Sequence, residues 1–337
     1  MTKKIAFFEL EDWKREYVKK HLKLKGYKIE FFDKEIGDES IRKTKDAEII
    51  APFVYSECTN TVLRKLPKLK YIATMSTGYD HIDLATCKKA GIKVSNVPSY
   101  GSNTVAEHAF GLILTLSRKL HEAINRTEHD NFSLDGLRGF DLRGKTIGVV
   151  GTGKIGSHVI RMANGFEMKV IAYDPHPKKE VAKQLGFKYT SFNELLKKSD
   201  IITLHVPLTP ETKHMISKKN INKIKRGAYL INTARGDIVE TEALFQALNS
   251  GILAGAGLDV LEGEDDLKDE AQLLHEKYLR SREVKDFIEN HLMIKKENVI
   301  VTAHNAFNTK EALQRILDTT IENIQAFVRG KPINLVN

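Results

Sequence analysis

The strongest constraint on the fold is a glycine-rich loop, Gly151-Thr152-Gly153-Lys154-Ile155-Gly156, that stands between two apolar segments. The segment before it, Thr146–Val150, is short, β-branched and almost entirely apolar, which is typical of a parallel strand buried on both faces. A helix is expected over 154–164 and a second strand over 168–173. The order of strand, glycine loop, helix and strand predicts a βαβ unit.

The positions of the loop suit a dinucleotide. Gly151 permits a tight turn, Gly153 lets the backbone approach a pyrophosphate, and Gly156 lets the helix lie close to the strand, while the first helical N–H groups face the anion. Asp174 follows Gly156 by 18 positions, and we expect it to accept hydrogen bonds from both ribose hydroxyls. A carboxylate there repels a 2′-phosphate, so NAD is favoured over NADP, although two nearby lysines leave NADP open. A plain glycine turn is the alternative, but both strands and the acid argue against it.

Length and cysteine content bound the class of protein. The chain has 337 residues, more than one hydrophobic core usually holds, which predicts two domains. Its only cysteines, Cys58 and Cys87, lack the spacing of a disulfide framework or a metal site, so we expect a reducing, cytoplasmic compartment and no metal. The N-terminal apolar stretch is too short for a signal peptide, and no apolar run reaches the roughly 18 residues of a membrane span.

The net charge of +9 could attract anionic small molecules or nucleic acid. The lysines of the first helix pattern, such as Lys14, Lys19 and Lys23, alternate with acidic and apolar positions, which is typical of a solvated helix face. No basic run with interleaved aromatic residues, zinc finger or RNA-recognition signature stands out. We therefore expect a small-molecule substrate and neither a nucleic-acid nor a membrane partner.

Strand and helix patterns alternate along the chain in two series. One series precedes the glycine loop and the other continues after it. A long apolar helix is expected over 103–126, with Ser102 as a possible cap, lying between domains or against another subunit. A charged segment at 262–298 interrupts the rhythm, and a final amphipathic helix is expected over 310–329. If that helix returns to the first series, residues 1–101 and 308–337 form a discontinuous substrate domain, with an NAD-binding Rossmann domain, 102–307, inserted into it. The fold class is then α/β, with two doubly wound parallel sheets.

Further motifs stand in a fixed order along the sequence. They are Ser76-Thr77-Gly78-Tyr79-Asp80, Val97-Pro98-Ser99-Tyr100, Val105-Ala106-Glu107-His108, the glycine loop, His205-Val206-Pro207-Leu208-Thr209, Asn232-Thr233-Ala234-Arg235-Gly236, Gly257-Leu258-Asp259-Val260 and Ala303-His304-Asn305-Ala306. On these motifs the chain resembles the D-isomer-specific 2-hydroxyacid dehydrogenases along nearly its whole length. Within that family it is most similar to the D-lactate dehydrogenase branch.

The chemistry of such a reaction can be matched to residue types. Reduction of a 2-oxo acid needs a cation for the carboxylate and ketone, and a proton donor for the developing alkoxide. Arg235 and His304 each follow a predicted strand, at the edge where doubly wound sheets bind ligands. Taken alone they could be a surface arginine and an ordinary polar histidine, but the family pattern implies catalytic roles. The resemblance also implies that Glu264 pairs with His304 and raises its pKa, with Glu262 as the rival assignment.

The resemblance implies the rest of the site. Backbone N–H groups of Thr77 and Gly78 would hold the substrate carboxylate, and Tyr100 would add a hydroxyl. Phe53 and Phe307 would surround the substrate side chain, with ordinary core aromatics as the alternative. The cofactor would contact Val105, Gly151, Gly153, Lys154, Ile155, Gly156, Asp174, His205, Val206, Pro207, Thr233, Ala234 and Asp259, the last through its nicotinamide carboxamide.

The sequence therefore predicts an NAD-dependent D-2-hydroxyacid dehydrogenase, with D-lactate as substrate and a homodimer formed through helix 103–126. Forty positions without a proline separate Glu264 from His304, and Tyr100 with Phe307 also resembles the D-lactate branch. A glyoxylate or hydroxypyruvate reductase is the nearest alternative. The sequence after His304 departs from the branch and leaves a bulkier 2-oxo acid open. An NAD(H)-sensing corepressor-like protein is the alternative from another class.

Overall fold

A computed structural model describes residues 2–263 and 282–337 of the chain. The chain divides into two compact units: Met1–Gly101 with Asn308–Asn337, here called unit 1, and Ser102–Phe307, here called unit 2. In the described residues each unit contains one sheet whose strand pairs are all parallel. The expected α/β class with two parallel sheets is confirmed.

Unit 1 has a five-stranded sheet in the order β2-β1-β3-β4-β5, with helices in the connections. Its strands are β1 Lys3–Phe7, β2 Tyr27–Phe31, β3 Ile49–Ala51, β4 Tyr71–Ala73 and β5 Lys93–Ser95. Its helices are α1 Asp12–His21, α2 Asp38–Thr44, α3 Asn60–Arg64, α4 Leu84–Ala90 and, from the end of the chain, α12 Lys310–Val328. The order corresponds to that of a doubly wound sheet whose strand sequence reverses beside β1.

The core of unit 1 explains why the last helix returns to it. Residues of the central strands, such as Ala6, Ile50 and Ile72, are buried in one apolar cluster on one side of the sheet. Tyr71 points to the other side and stacks on Phe327 of α12, with ring centroids 4.2 Å apart and the ring planes nearly parallel. The apolar face of the C-terminal helix is thereby buried on this sheet.

Unit 2 has a seven-stranded sheet in the order β12-β11-β10-β9-β6-β7-β8. The first strand of the unit, β6, lies inside the sheet and the chain winds outward from it in both directions, which is the Rossmann arrangement. The strands are β6 Thr146–Val150, β7 Lys169–Tyr173, β8 Lys188–Tyr189, β9 Ile201–Leu204, β10 Ala228–Asn232, β11 Leu253–Leu258 and β12 Val299–Val301. The helices are α5 Ser102–Arg118, α6 Leu120–Glu128, α7 Lys154–Gly165, α8 Lys179–Leu185, α9 Phe192–Lys198, α10 Thr241–Asn249 and α11 Arg282–Ile294.

The long helix expected over 103–126 is wrong as a single element. Lys119 adopts a left-handed conformation, with φ 51°, and separates α5 from α6. The apolar residues of α5, among them Ala109, Phe110 and Ile113, are buried in the core of unit 2 together with residues of β6 and α7. They are therefore not available to a second subunit. The large exposed apolar side chains nearby lie on α6 and in the segment after it: Leu120, Ile124, Phe132 and Leu134.

Within residues 2–263 and 282–337, no helix is both long and apolar enough to cross a bilayer. The same residues contain no cluster of three or more histidine, cysteine or acidic side chains suited to a metal ion.

Candidate active site

The glycine loop follows β6, whose last four residues are buried. Gly151 has φ 91°, and a Cβ built there would lie 2.7 Å from the carbonyl oxygen of His205. A Cβ on Gly156 would lie 2.0 Å from the carbonyl oxygen of Gly151, so any side chain would push helix α7 away from the loop. Gly153 differs, because a Cβ there would meet no protein atom within 4 Å. Protein packing therefore requires two of the glycines, while the third faces space that a bound pyrophosphate can occupy.

Asp174 lies directly after β7 and is tied to the glycine loop. Its Oδ2 accepts hydrogen bonds from the backbone N–H and the Oγ1 hydroxyl of Thr152, each at 2.7 Å, and its Oδ1 accepts one from His176 N at 2.9 Å. Burial alone would raise the pKa of Asp174, but these hydrogen bonds outweigh burial and hold the pKa below its ordinary value. The carboxylate is thus ionised and fixed beside the loop, as an acceptor for ribose hydroxyls must be.

Two buried polar atoms, one after β9 and one after β10, have no hydrogen-bond partner among the described residues. They are Nδ1 of His205 and Oγ1 of Thr233. Burial lowers the pKa of His205 from 6.5 to about 3, so its ring is neutral and Nδ1 can face a ligand as a donor or an acceptor. Unpaired buried polar atoms are rare in native proteins. Together with the open face of Gly153 and the carboxylate of Asp174, they fit a bound NAD.

Three chemically distinctive side chains follow three neighbouring strands of the unit 2 sheet. Arg235 comes after β10, Asp259 directly after β11, and His304 after β12. Because the strands are parallel, their carboxyl ends meet at one edge of the sheet. Asn232 shapes the first of these loops, since its Oδ1 accepts from Ala234 N at 3.1 Å and its Nδ2 donates to the Arg235 carbonyl at 2.9 Å.

His304 is held in an unfavourable backbone conformation, with φ 49°. Its backbone N–H donates to the Asp259 carbonyl at 2.9 Å. The Asp259 carboxylate accepts the two following amides as well, Asn305 N at 2.8 Å and Ala306 N at 2.9 Å, one on each oxygen. Asp259 thus holds the loop that presents the histidine.

Helix α5 supplies the remaining support of this carboxylate. His108 Nε2 lies 3.0 Å from the hydroxyl of Thr302 and 3.4 Å from Asp259 Oδ1, and Thr302 also donates to Asp259. Burial would raise the pKa of Asp259, but the hydrogen bonds from His108, Thr302 and the two amides outweigh it, so the pKa lies below the ordinary value. A contact of Asp259 with the nicotinamide carboxamide stays a prediction. Sequence reasoning quoted His108 within a motif but assigned it no role.

Glu262 and Glu264, the two candidates for the partner of His304, differ in what the structure describes of them. Glu264 lies outside the described residues. Glu262 has both carboxylate oxygens engaged, one by His214 Nε2 and the other by the backbone N–H and hydroxyl of Thr241. Glu262 therefore has hydrogen-bond partners of its own. The sequence did not predict them, because His214 lies in no recognised motif.

The predicted carboxylate-binding loop follows β4 in unit 1. Asn96 Nδ2 donates to the Thr77 carbonyl at 2.7 Å, and Ser76 Oγ donates to the Gly78 carbonyl at 2.6 Å. Fixing the Thr77 carbonyl also fixes the peptide plane that carries the Gly78 N–H. His81 supports the same loop, with Nε2 3.2 Å from the Thr74 hydroxyl. The loop is preorganised without any contribution from a substrate.

The other predicted substrate residues are divided between the units. Phe53 is buried and Tyr100 half-buried in unit 1, where Arg315 of α12 donates to the Tyr100 carbonyl. Phe307 is half-buried in unit 2. The predicted cofactor residues, by contrast, all lie in unit 2: Val105 on α5, the glycine loop with Lys154 and Ile155 opening α7, Asp174 after β7, His205, Val206 and Pro207 after β9, Thr233 and Ala234 after β10, and Asp259 after β11.

Comparison with known proteins places the chain in a family. Residues 110–306 match the family model described as D-isomer specific 2-hydroxyacid dehydrogenase, NAD binding domain. A 2-hydroxyacid dehydrogenase homolog of Zymomonas mobilis is 39% identical over 333 residues, covering 97% of this chain and 98% of that protein. The D-lactate dehydrogenase of Escherichia coli is 36% identical over 330 residues, with 97% and 98% covered.

A solved structure agrees with these matches. The crystal structure of D-lactate dehydrogenase from Aquifex aeolicus, complexed with NAD and lactic acid, is similar with a TM-score of 0.86 and 39% identity, over 97% of this chain and 96% of that one. The resemblance stated from the motifs is confirmed. The chain is a member of the D-isomer-specific 2-hydroxyacid dehydrogenase family, NAD-dependent oxidoreductases that act on the CH–OH group of 2-hydroxy acids.

Proposed function

We propose that the protein is a D-lactate dehydrogenase, which reduces pyruvate to D-lactate with NADH and catalyses the reverse reaction. The observation that carries the proposal is the placement of Arg235, Asp259 and His304 after three neighbouring strands, in the unit whose β6 ends in the glycine loop. The similarity to the lactate enzymes of E. coli and A. aeolicus supports pyruvate over other 2-oxo acids.

The protein's part in cofactor binding falls to backbone amides and a few side chains. Bound NADH supplies the hydride that adds to C2 of the oxo acid. The amides at the start of α7 face the pyrophosphate, and Asp174 accepts the ribose hydroxyls. Thr233 and His205 offer the buried polar atoms that lack partners among the described residues. Val105, Ile155, Val206, Pro207 and Ala234 provide apolar and backbone contacts around them.

The substrate is held by charge and by amides. Arg235 pairs with the carboxylate and polarises the ketone, which lowers the barrier to hydride addition. The N–H groups of Thr77 and Gly78 bind the carboxylate as well, since their loop is already fixed in unit 1. Tyr100 adds a hydroxyl, and Phe53 with Phe307 encloses the methyl group of pyruvate.

His304 moves the proton. As an imidazolium it gives a proton to the alkoxide that forms at C2, and in lactate oxidation it takes that proton back. We propose that Glu264, which lies outside the described residues, pairs with the charged ring. The hydrogen bonds between Asp259 and the backbone of residues 304–306 hold the loop that presents the ring.

We further propose a cytoplasmic homodimer. The reduced, buried state of Cys58 and Cys87 is consistent with a reducing compartment. Large apolar side chains are exposed on α6 and in the segment after it, where Ile124 is 57%, Phe132 77% and Leu134 82% accessible. Exposed apolar groups of this size are typical of association surfaces. Light scattering that gives a monomeric mass at micromolar concentration would contradict the proposed dimer.

The function is tested by NADH oxidation, followed at 340 nm, with pyruvate, hydroxypyruvate, glyoxylate and phenylpyruvate side by side. We expect the largest kcat/KM on pyruvate and a product that chiral chromatography identifies as D-lactate. A larger kcat/KM on another oxo acid would replace the substrate while leaving the roles of Arg235 and His304 intact. L-lactate as product would contradict the proposal outright.

A further inference from the structure

The turn after Arg235 lies in direct backbone contact with the segment that leads toward Glu264. Gly236 opens the short 3-10 turn Gly236–Ile238. A Cβ built on Gly236 would lie 2.1 Å from both the carbonyl carbon and the carbonyl oxygen of Leu261 and 2.4 Å from the amide nitrogen of Glu262. No side chain fits on Gly236, because the turn and the Leu261–Glu262 segment are packed backbone against backbone. Movement of the Leu261–Glu262 segment toward the turn would therefore displace the turn.

Glu262 fastens its segment to two other elements. Its Oε1 lies 2.5 Å from His214 Nε2, and its Oε2 accepts from the N–H and the hydroxyl of Thr241, the first residue of α10, each at 2.9 Å. The Glu262 side chain is only 14% exposed. Burial would raise its pKa, but the hydrogen bonds from Thr241 and His214 outweigh burial and lower it, so the carboxylate is ionised.

His214 closes the arrangement from the opposite side. Its backbone N–H donates to the carbonyl of Asp237, inside the turn after Arg235, at 2.8 Å. Its own backbone is left-handed, with φ 51°, a conformation that a non-glycine residue keeps only when its surroundings hold it. The Gly236–Ile238 turn therefore contacts Glu262 in two ways: directly through the backbone, and indirectly through His214.

We propose that Glu262 and His214 are positioning residues for Arg235, which they hold by clamping the Gly236–Asp237 turn against the Leu261–Glu262 segment that follows β11. The inference rests on the proposed function, because it takes Arg235 as the group that binds the substrate carboxylate. Neither residue exchanges a proton with the substrate. A displacement of the arginine by about 1 Å can cost as much as a hundredfold in rate, so a clamp at this point controls turnover from outside the substrate site.

Glu262 and Glu264 are assigned different roles. Glu264 lies outside the described residues and is proposed only as the partner of His304. Glu262 has both oxygens committed to the clamp, so its removal changes the efficiency of substrate capture and leaves the pH profile in place.

The test compares Glu262→Gln with Asp200→Asn, a matched control at the opposite end of the sheet. Asp200 also accepts a backbone N–H, from Thr146 at 2.8 Å, and pairs with a cation, Lys225, but it lies before β9. We expect kcat/KM for pyruvate to fall roughly tenfold to thirtyfold in Glu262→Gln and less than about twofold in the control. NADH affinity and the pH profile of kcat stay unchanged in both. Thr241→Ser, which keeps both donors to Glu262, retains full activity.

A double-mutant cycle with Arg235→Lys shows whether the effect passes through the arginine. In that background the loss caused by Glu262→Gln is expected to shrink to less than about threefold, because there is no longer a positioned guanidinium to lose. Any of three results would overturn the proposal. They are an undiminished loss of kcat/KM in the Arg235→Lys background, an equal loss in Asp200→Asn, and a shifted pH profile of kcat in Glu262→Gln. A wild-type enzyme with no turnover on any 2-oxo acid would remove the proposed function and this inference with it, whereas an active wild type with an unaffected variant overturns the inference alone.

Discussion

The two halves of the carboxyl edge in unit 2 are built by different means. The half formed by β6 and β7 is shaped by backbone: Gly151 and Gly156 are required because other backbone atoms lie where a Cβ would be. The half formed by β10, β11 and β12 is shaped by two carboxylates, the buried one of Asp259 and the half-buried one of Glu262, which hold loops by accepting backbone N–H groups. We therefore expect the first, backbone-built half to be most sensitive to a side chain added at its glycines, and the second, carboxylate-built half to be most sensitive to loss of a carboxylate.

The largest effect is expected at the reacting group of the carboxylate-built half. His304→Gln removes the proton donor but keeps a polar side chain, so kcat falls at least about a hundredfold while the NADH dissociation constant changes less than about twofold. Stopped-flow fluorescence of NADH and steady-state turnover measure the two quantities. An unchanged kcat would take His304 out of the mechanism.

A smaller effect is expected where the same half is held together. Asp259→Asn replaces a carboxylate oxygen by an NH2 group that cannot accept from Asn305 or Ala306, so a buried N–H loses its partner and the free energy of unfolding falls by about 1–3 kcal/mol. We expect kcat to fall about tenfold, since His304 loses its support. Urea unfolding and turnover test this. If NADH affinity collapsed while kcat held, Asp259 would serve the cofactor instead of the loop.

The backbone-built half is tested by adding a methyl group at two glycines. Gly156→Ala meets a backbone oxygen, so the free energy of unfolding falls by about 1–3 kcal/mol. Gly153→Ala meets no protein atom and leaves that free energy within about 0.5 kcal/mol, yet weakens NADH binding roughly tenfold because the methyl group occupies space meant for pyrophosphate. Thermal unfolding and fluorescence titration distinguish the two glycines. Equal behaviour of the two variants would contradict the assignment.

The smallest effect is expected at His205, which follows β9, the strand between the two halves. The pKa of His205 falls from 6.5 to about 3 on folding, so below pH 6.5 the unfolded chain takes up a proton that the folded chain does not. Stability associated with this residue is therefore present above pH 6.5 and is lost as the pH falls. Between pH 7 and pH 5, His205→Gln should lose about 2 kcal/mol less unfolding free energy than the wild type. Parallel losses in urea titrations would show that the ring is not neutral in the folded state.

Much of the fold was predictable because its signals are local. The strand Thr146–Val150 has the bounds that periodicity predicted, and the helix Lys154–Gly165 begins at its predicted residue and ends one residue later than predicted. The helix break at Lys119 was missed, since a lysine at φ 51° has no sequence signature and depends on the packing around it. The two-residue strand β8 was missed as well, because so short a segment shows no alternation.

The sequence by itself determined the parallel α/β class, the glycine loop with its acid, and the residues that stand at the ends of strands, because strand periodicity and glycine spacing act over short distances. Only the tertiary structure decided that both oxygens of Asp259 hold the His304 loop, that His108 supports it, and that Glu262 is committed to His214 and Thr241. These contacts join residues separated by 21 to 151 positions. Which donor reaches a buried carboxylate depends on how strands are ordered in the sheet, and no local pattern contains that order.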